Sequence, residues 1–269
     1  MATIISQVVL HPKVSQALAV LATTIGRDKL YRLIQYVSRI LAWSFARSGA
    51  PDLAARFDGL KGALGMGRKL MRVFKPVENL QSALNISQRP FTGITRAETL
   101  AQVTQLGRQI AYAIFLGTDS IVWLQFSKFL HLDKDKAARI QQISNKAWFI
   151  GLVLSLVSSG ASLVNLRHQS RRFALQSEVS RREGGEKGPD QAAAEEAERR
   201  KQGRALLAQR QTLLSQIVTD SFDIWIPSNN LGYSHLSEGA VGLLGATTSY
   251  MALQKVWNKH GAAVVAKLA

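Results

Sequence analysis

Few residues in this 269-residue chain stand at a spacing that supports bond-making chemistry. The five histidines, His11, His131, His168, His235 and His260, are scattered, and none has metal-ligand spacing. There is no Gly-x-Ser-x-Gly elbow and no Gly-Lys-Ser or Gly-Lys-Thr phosphate loop. The acids are too few and too dispersed to form an acid/base pair. No catalytic residue, metal site or cofactor is expected, and the chain does not read as an enzyme. What does gather is basic charge beside bulky apolar side chains, in the stretch from Asp52 to Val77. On a helical wheel Leu53, Phe57, Leu60, Leu64, Met71 and Phe74 fall within roughly 100° of one another. Lys61, Arg68, Lys69, Arg72 and Lys75 line the adjoining flank. An apolar strip bordered by cations is the composition of a helix lying in the headgroup plane of an anionic membrane. Each cation there contributes on the order of 1 kcal/mol at most. A core helix with a solvated face has the same pattern. Gly59, Gly62, Gly65 and Gly67 cost about 1 kcal/mol each relative to Ala, which suits a segment that orders on meeting a membrane.

The elements around this strip are predicted to be helices. Lys and Arg number 34 against 18 acids, a net charge of +16, which points to an anionic partner, either nucleic acid or acidic lipid. There are no cysteines and so no disulfide framework. Proline is rare and no alternating apolar pattern suggests a sheet. The fold class is all-α.

From Arg27 to Phe45, Leu30, Leu33, Ile34, Val37, Ile40, Leu41 and Phe45 step by threes and fours along one helix face. Asp28, Arg32, Gln35 and Arg39 keep the same step on the opposite face. Asp28 and Arg32 stand as a local acid-before-base pair in the first turn. Before them, Gly26 is placed to end a first helix.

The residues Asp28, Lys29, Arg32, Gln35, Tyr36 and Arg39 resemble the N-terminal signature of the peroxisomal biogenesis factor 11 family, in a fungal-like form. Members tend to open with a His-Pro turn and a Thr-x-Gly-Arg-Asp-Lys junction, matched here by His11-Pro12 and Thr24 to Lys29. The resemblance implies that the Leu53–Val77 helix is the membrane-remodelling element, within an N-terminal amphipathic region over 1–146.

Downstream, Arg89 to Gly93 reads as a turn. Thr99–Leu130 reads as a helix packed on others or lying at the interface, because Asp119 and Lys128 would be costly inside a bilayer. Residues 147–166 carry no charge over twenty positions, with Trp148 near one end, and are predicted to be a transmembrane helix. Their small residues would also suit a buried helix. Residues 167–204 form a charged linker, disordered around Arg181 to Gln191. Residues 205–236 form a helix and loop. A second membrane helix is expected at 237–255, where Gly239, Gly242 and Gly245 make a face for packing on the first, before a short tail at 256–269. The peroxisomal tripeptide would need Ala266-Lys267-Leu268 to be terminal, and Ala269 follows it, which fits delivery as an integral membrane protein.

Family resemblance therefore implies an integral peroxisomal membrane protein that elongates the membrane by helix insertion and self-association, promoting division. Its implied partners are anionic phospholipid, further copies of itself, and a dynamin-like fission GTPase with its membrane adaptor. One alternative is a metabolite channel, hinted at by Asp119, Ser155, Ser159 and Ser162. Another, from charge alone, is a nucleic-acid binder. Against it stand the uncharged twenty residues and the lack of a base-reading basic helix, so no nucleic-acid partner is expected. The long charged stretch after Leu166 would lie on the lumenal side if both termini faced the cytosol, against the positive-inside rule.

Overall fold

The computed structural model describes residues 7, 9–90, 95–183 and 189–268. The described residues are helical throughout their regular structure, with no strand among them, so the all-α expectation holds. The helices are α1 Pro12–Leu21, α2 Thr24–Arg47, α3 Pro51–Met71, α4 Lys75–Ser87, α5 Arg96–Phe126, α6 Lys134–Glu183, α7 Pro189–Asp223, α8 Trp225–Asn230 and α9 Glu238–Leu268.

Their ends follow from local chemistry. Pro12 opens α1, where its missing N–H costs nothing, and the His11 imidazole accepts from the Lys13 N–H at 3.2 Å. Thr23 caps α2, its hydroxyl accepting from the Gly26 N–H at 3.0 Å. Gly26 thus lies in the first turn of α2 and does not end the helix before it. A Cβ there would stand 2.0 Å from the Val20 carbonyl oxygen, so only glycine permits the tight α1–α2 corner. The amphipathic segment from Asp52 to Val77 is two helices, not one. A proline at position 76 has no N–H to donate and disfavours helical geometry at Lys75. The chain accordingly turns over Arg72–Phe74 and restarts as α4.

Two compact units make up the chain. The first comprises Met1–Glu78, Ala113–Phe149 and Phe222–Ala269. Its apolar centre is Tyr36, Ile226 and Val241, with Trp148, Leu236 and Ala246 packed round them. The second comprises Asn79–Tyr112 and Ile150–Ser221. Residues 167–183 continue α6, and 189–204 begin α7, so the described part of the charged stretch is helical. The turn at Arg89 to Gly93 and the disorder expected around Arg181 to Gln191 fall partly on 91–94 and 184–188, outside the described residues.

Among the described residues, one helix is long and apolar enough to cross a membrane, within Lys134–Val179. The 147–166 segment lies inside it. The glycine face of α9 packs on α2. Gly239 abuts the Trp43 ring, Gly242 abuts Ile40 and the Tyr36 carbonyl, and Gly245 abuts the Tyr36 ring.

Candidate membrane-binding site

The polar side of α2 faces inward. Asp28, Arg32, Tyr36 and Ser38 are buried, while Ile34 and Val37 are exposed. Asp28, Arg32, Gln35 and Arg39 each find a polar partner elsewhere in the first unit, while Lys29 pairs with its neighbour Asp28. Arg68 Nε donates to Asp28 Oδ1 at 3.0 Å and its guanidinium to Gln35 Oε1 at 2.7 Å. Lys29 Nζ reaches the other Asp28 oxygen at 3.2 Å. Arg32 donates to Asp223 at 2.7 Å, and the Thr248 hydroxyl donates to the same oxygen at 2.6 Å. The Arg32 guanidinium also lies over the Tyr36 ring, 5.4 Å from its centroid. Arg39 grips Glu238 with two parallel bonds of 2.7 and 2.8 Å, the planar fork that arginine alone offers a carboxylate.

This arrangement sets the ionisation of the cluster. Burial works to raise the Asp28 pKa, but the charges of Arg68, Lys29 and Arg72 outweigh it and hold the carboxyl at about 2. Burial and the neighbouring Arg72 push Arg68 down to about 10, against the pull of Asp28. Burial likewise lowers Lys29. Arg32 is raised: Asp223 overcomes its desolvation. The Asp28–Arg32 pair expected along the helix gives way to these long-range pairs, because a buried charge needs a close counter-charge with full hydrogen bonding.

The strip on α3 divides by depth. Leu53 and Leu60 are exposed, and Phe74, in the turn after α3, is 80% exposed. Phe57, Leu64 and Met71 are half-buried, and the Phe57 ring stacks on Phe45 with centroids 5.6 Å apart. The cations divide as well. Arg68 belongs to the Asp28 cluster, while Lys69 and Arg72 both hold Asp119, with Arg72 at 3.1 Å. Asp119 is buried. Lys61 and Lys75 pair with Asp58 and Glu78, three residues away along the chain and themselves exposed. The acidic partners Asp119, Asp223 and Glu238 were not legible as such. The only signal for them was the excess of cations at positions that turn inward, which demands buried acids. Among the described residues no His, Asp and Glu group has metal-binding geometry.

The chain matches the family model described as peroxisomal biogenesis factor 11 over residues 14–257. It is 28% identical to the peroxisomal membrane protein PMP27 of Saccharomyces cerevisiae, with 93% of this chain and 96% of that one covered. It is 22% identical to peroxisomal biogenesis factor 11 of Schizosaccharomyces pombe, with 92% and 96% covered. Human peroxisomal membrane protein 11B is 25% identical, with 85% and 91% covered. No solved structure gives a significant match.

Proposed function

This chain belongs to the peroxisomal biogenesis factor 11 family, a premise from which we propose how it acts on its membrane. It is a peroxisomal membrane protein of the proliferation and division machinery. It works by seating α3 and the turn after it in one leaflet. Leu53, Leu60 and Phe74 are the side chains that enter the acyl region, and Phe57, Leu64 and Met71 support them from behind. Lys61 and Lys75 meet acidic headgroups, since their carboxylate partners are exposed and screened and hold them weakly. Arg68, Lys69 and Arg72, expected at the headgroups, serve instead to fix the depth of the helix through Asp28 and Asp119.

The observation that carries this reading is the exposure of Leu53 and Leu60 on α3 and of Phe74 just after it, with Ile34 and Val37 of α2 exposed as well. Bulky apolar side chains left exposed in that way suit a lipid surface better than water. Wedging them into one leaflet expands it relative to the other and favours curvature. Copies of the chain gathered in a patch would draw the membrane into a tubule. A dynamin-like GTPase and its membrane adaptor are the partners that would sever it.

The test reconstitutes the full chain with giant vesicles containing anionic phospholipid and images tubulation. Tubules formed by the parent and lost in a Leu53→Ser, Leu60→Ser, Phe74→Ser variant that still inserts support the wedge. Equal tubulation by both overturns it.

A further inference from the structure

We infer that the turn joining α5 to α6 is a second lipid-contacting point, where Phe126 and Phe129 enter the leaflet interface and Lys128 meets an anionic headgroup. The inference rests on the chain being a peroxisomal membrane protein, and not on the seating of α3.

The turn has a defined build. The last residue of α5 is Phe126. Beyond it the Lys128 N–H donates to the Gln125 carbonyl at 3.0 Å, and the Phe129 N–H donates to the Leu124 carbonyl at 3.1 Å. That pair of bonds is the Schellman ending of a helix. Ser127 tightens it, its N–H donating to the Trp123 carbonyl at 2.9 Å and its hydroxyl to that of Leu124 at 2.8 Å. The ending requires a left-handed backbone at Lys128, whose φ is 62°. Glycine adopts that conformation freely, whereas a Cβ crowds the following carbonyl. Among the described residues Lys128 is the only non-glycine with a positive φ.

A Schellman ending also commonly folds the side chain at the place of Phe129 back onto its helix. Here that ring is 81% exposed, the most open large apolar side chain among the described residues, and Phe126 is 64% exposed. Two local preferences are thus set aside together, glycine at 128 and an inward ring at 129. Departures of this kind gather where a segment serves something outside the fold. The product is an exposed cation with an exposed ring on either side of it in the chain.

Charge and area identify the occupant. Residues 126–139 carry Lys128, Lys134, Lys136 and Arg139 against Asp133 and Asp135. Lys136 is paired with Asp133 at 3.0 Å, whereas Lys128 is exposed and enters no ion pair among the described residues. Excess positive charge favours an anionic surface. A protein partner, a second copy included, needs about 800 Å² from each side. Two phenylalanine side chains supply about 150–250 Å² each, which falls short. A leaflet closes round a side chain without a matching surface, taking the rings at its interface and the lysine ammonium among its headgroups.

The chain has no cysteine, so Ser127→Cys gives a single labelling position between the two rings in the full chain. It is labelled with a nitrobenzoxadiazole dye, and the chain is inserted into vesicles of phosphatidylcholine and phosphatidylserine. The dye should emit to the blue of its emission in water and be quenched by phosphatidylcholine spin-labelled high on its acyl chain. Phe126→Ser with Phe129→Ser should remove most of that quenching. Lys128→Gly separates shape from contact. It relieves the left-handed backbone, so the solubilised chain should melt at a higher temperature, while quenching should fall and lose its dependence on phosphatidylserine. Emission as in water from the inserted chain, or quenching unchanged in either variant, would overturn the inference. So would a blue shift without lipid quenching that grows with protein density, because it would mean contact between copies. In the Leu53→Ser, Leu60→Ser, Phe74→Ser chain the quenching should be unchanged, so failure of the wedge and failure of this turn are told apart.

Discussion

Arg32 and Asp223 stand 191 positions apart in the chain and 2.7 Å apart in the fold, with Thr248 donating to the same carboxylate oxygen. One contact thus ties α2 to the end of α7 and to α9, and it is buried. Removing one partner leaves the other charged and dry. Asp223→Asn is expected to cost about 3–5 kcal/mol, read as a lowered thermal midpoint of the detergent-solubilised chain. The rim pair between Arg39 and Glu238 is more open on its acidic side, and Glu238→Gln is expected to cost less than about 1 kcal/mol. Equal losses for the two variants would refute this ranking.

Asp28 gives a pH signature of known sign. Its folded pKa of about 2 lies below the ordinary 3.8, so in the interval between them the unfolded chain binds more protons. The stabilisation is complete above the ordinary value and drains away as pH falls toward 2. Resistance of the solubilised chain to proteolysis should therefore drop across that interval. Asp28→Asn, which has lost the charge already, should show a weaker dependence there and a lower starting stability.

The glycines of α3 and α9 predict opposite outcomes for one kind of substitution. A Cβ at Gly245 would lie 2.3 Å from the Tyr36 ring, whereas Gly59 and Gly62 have nothing within 4 Å. Gly245→Ala should separate α9 from α2 and lower the thermal midpoint. Gly59→Ala and Gly62→Ala should each raise helix stability by up to about 1 kcal/mol. If α3 must fold on contact with the membrane, the same two variants will also bind vesicles more tightly, as less order remains to be imposed.

The wedge carries its own number. Fully burying a leucine or phenylalanine side chain contributes about 1.5–3 kcal/mol, and about 1.4 kcal/mol is a tenfold change in partition. Because Leu60 is only partly exposed, Leu60→Ser should weaken association with anionic vesicles by about tenfold. Phe74→Ser should do more. Lys61→Ala with Lys75→Ala should chiefly reduce the dependence of binding on salt. Cosedimentation across a salt series separates the two effects.

Pattern and composition were enough for much of this protein. Apolar residues at threes and fours with few prolines make helices wherever the chain goes, and twenty uncharged residues at 147–166 commit that stretch to an apolar setting. The signature from Asp28 to Arg39 was legible as a set, and so was the strip from Leu53 to Phe74. Periodicity marks two faces of a helix but not which is inside. For α2 the usual rule, apolar inward, gave the wrong side. Only the fold brings Asp223, Glu238 and Arg68 to that face, from up to two hundred residues away, and makes it the buried one. The same holds for Asp119, which as a lone carboxylate in an apolar helix argues against burial. With Lys69 and Arg72 on its two oxygens, it is neutralised where it stands. Local sequence decided where helices form, because the energies that make a helix act within a turn or two. Tertiary structure decided which charges meet, because a counter-charge acts through space and leaves no mark on the spacing of its partner.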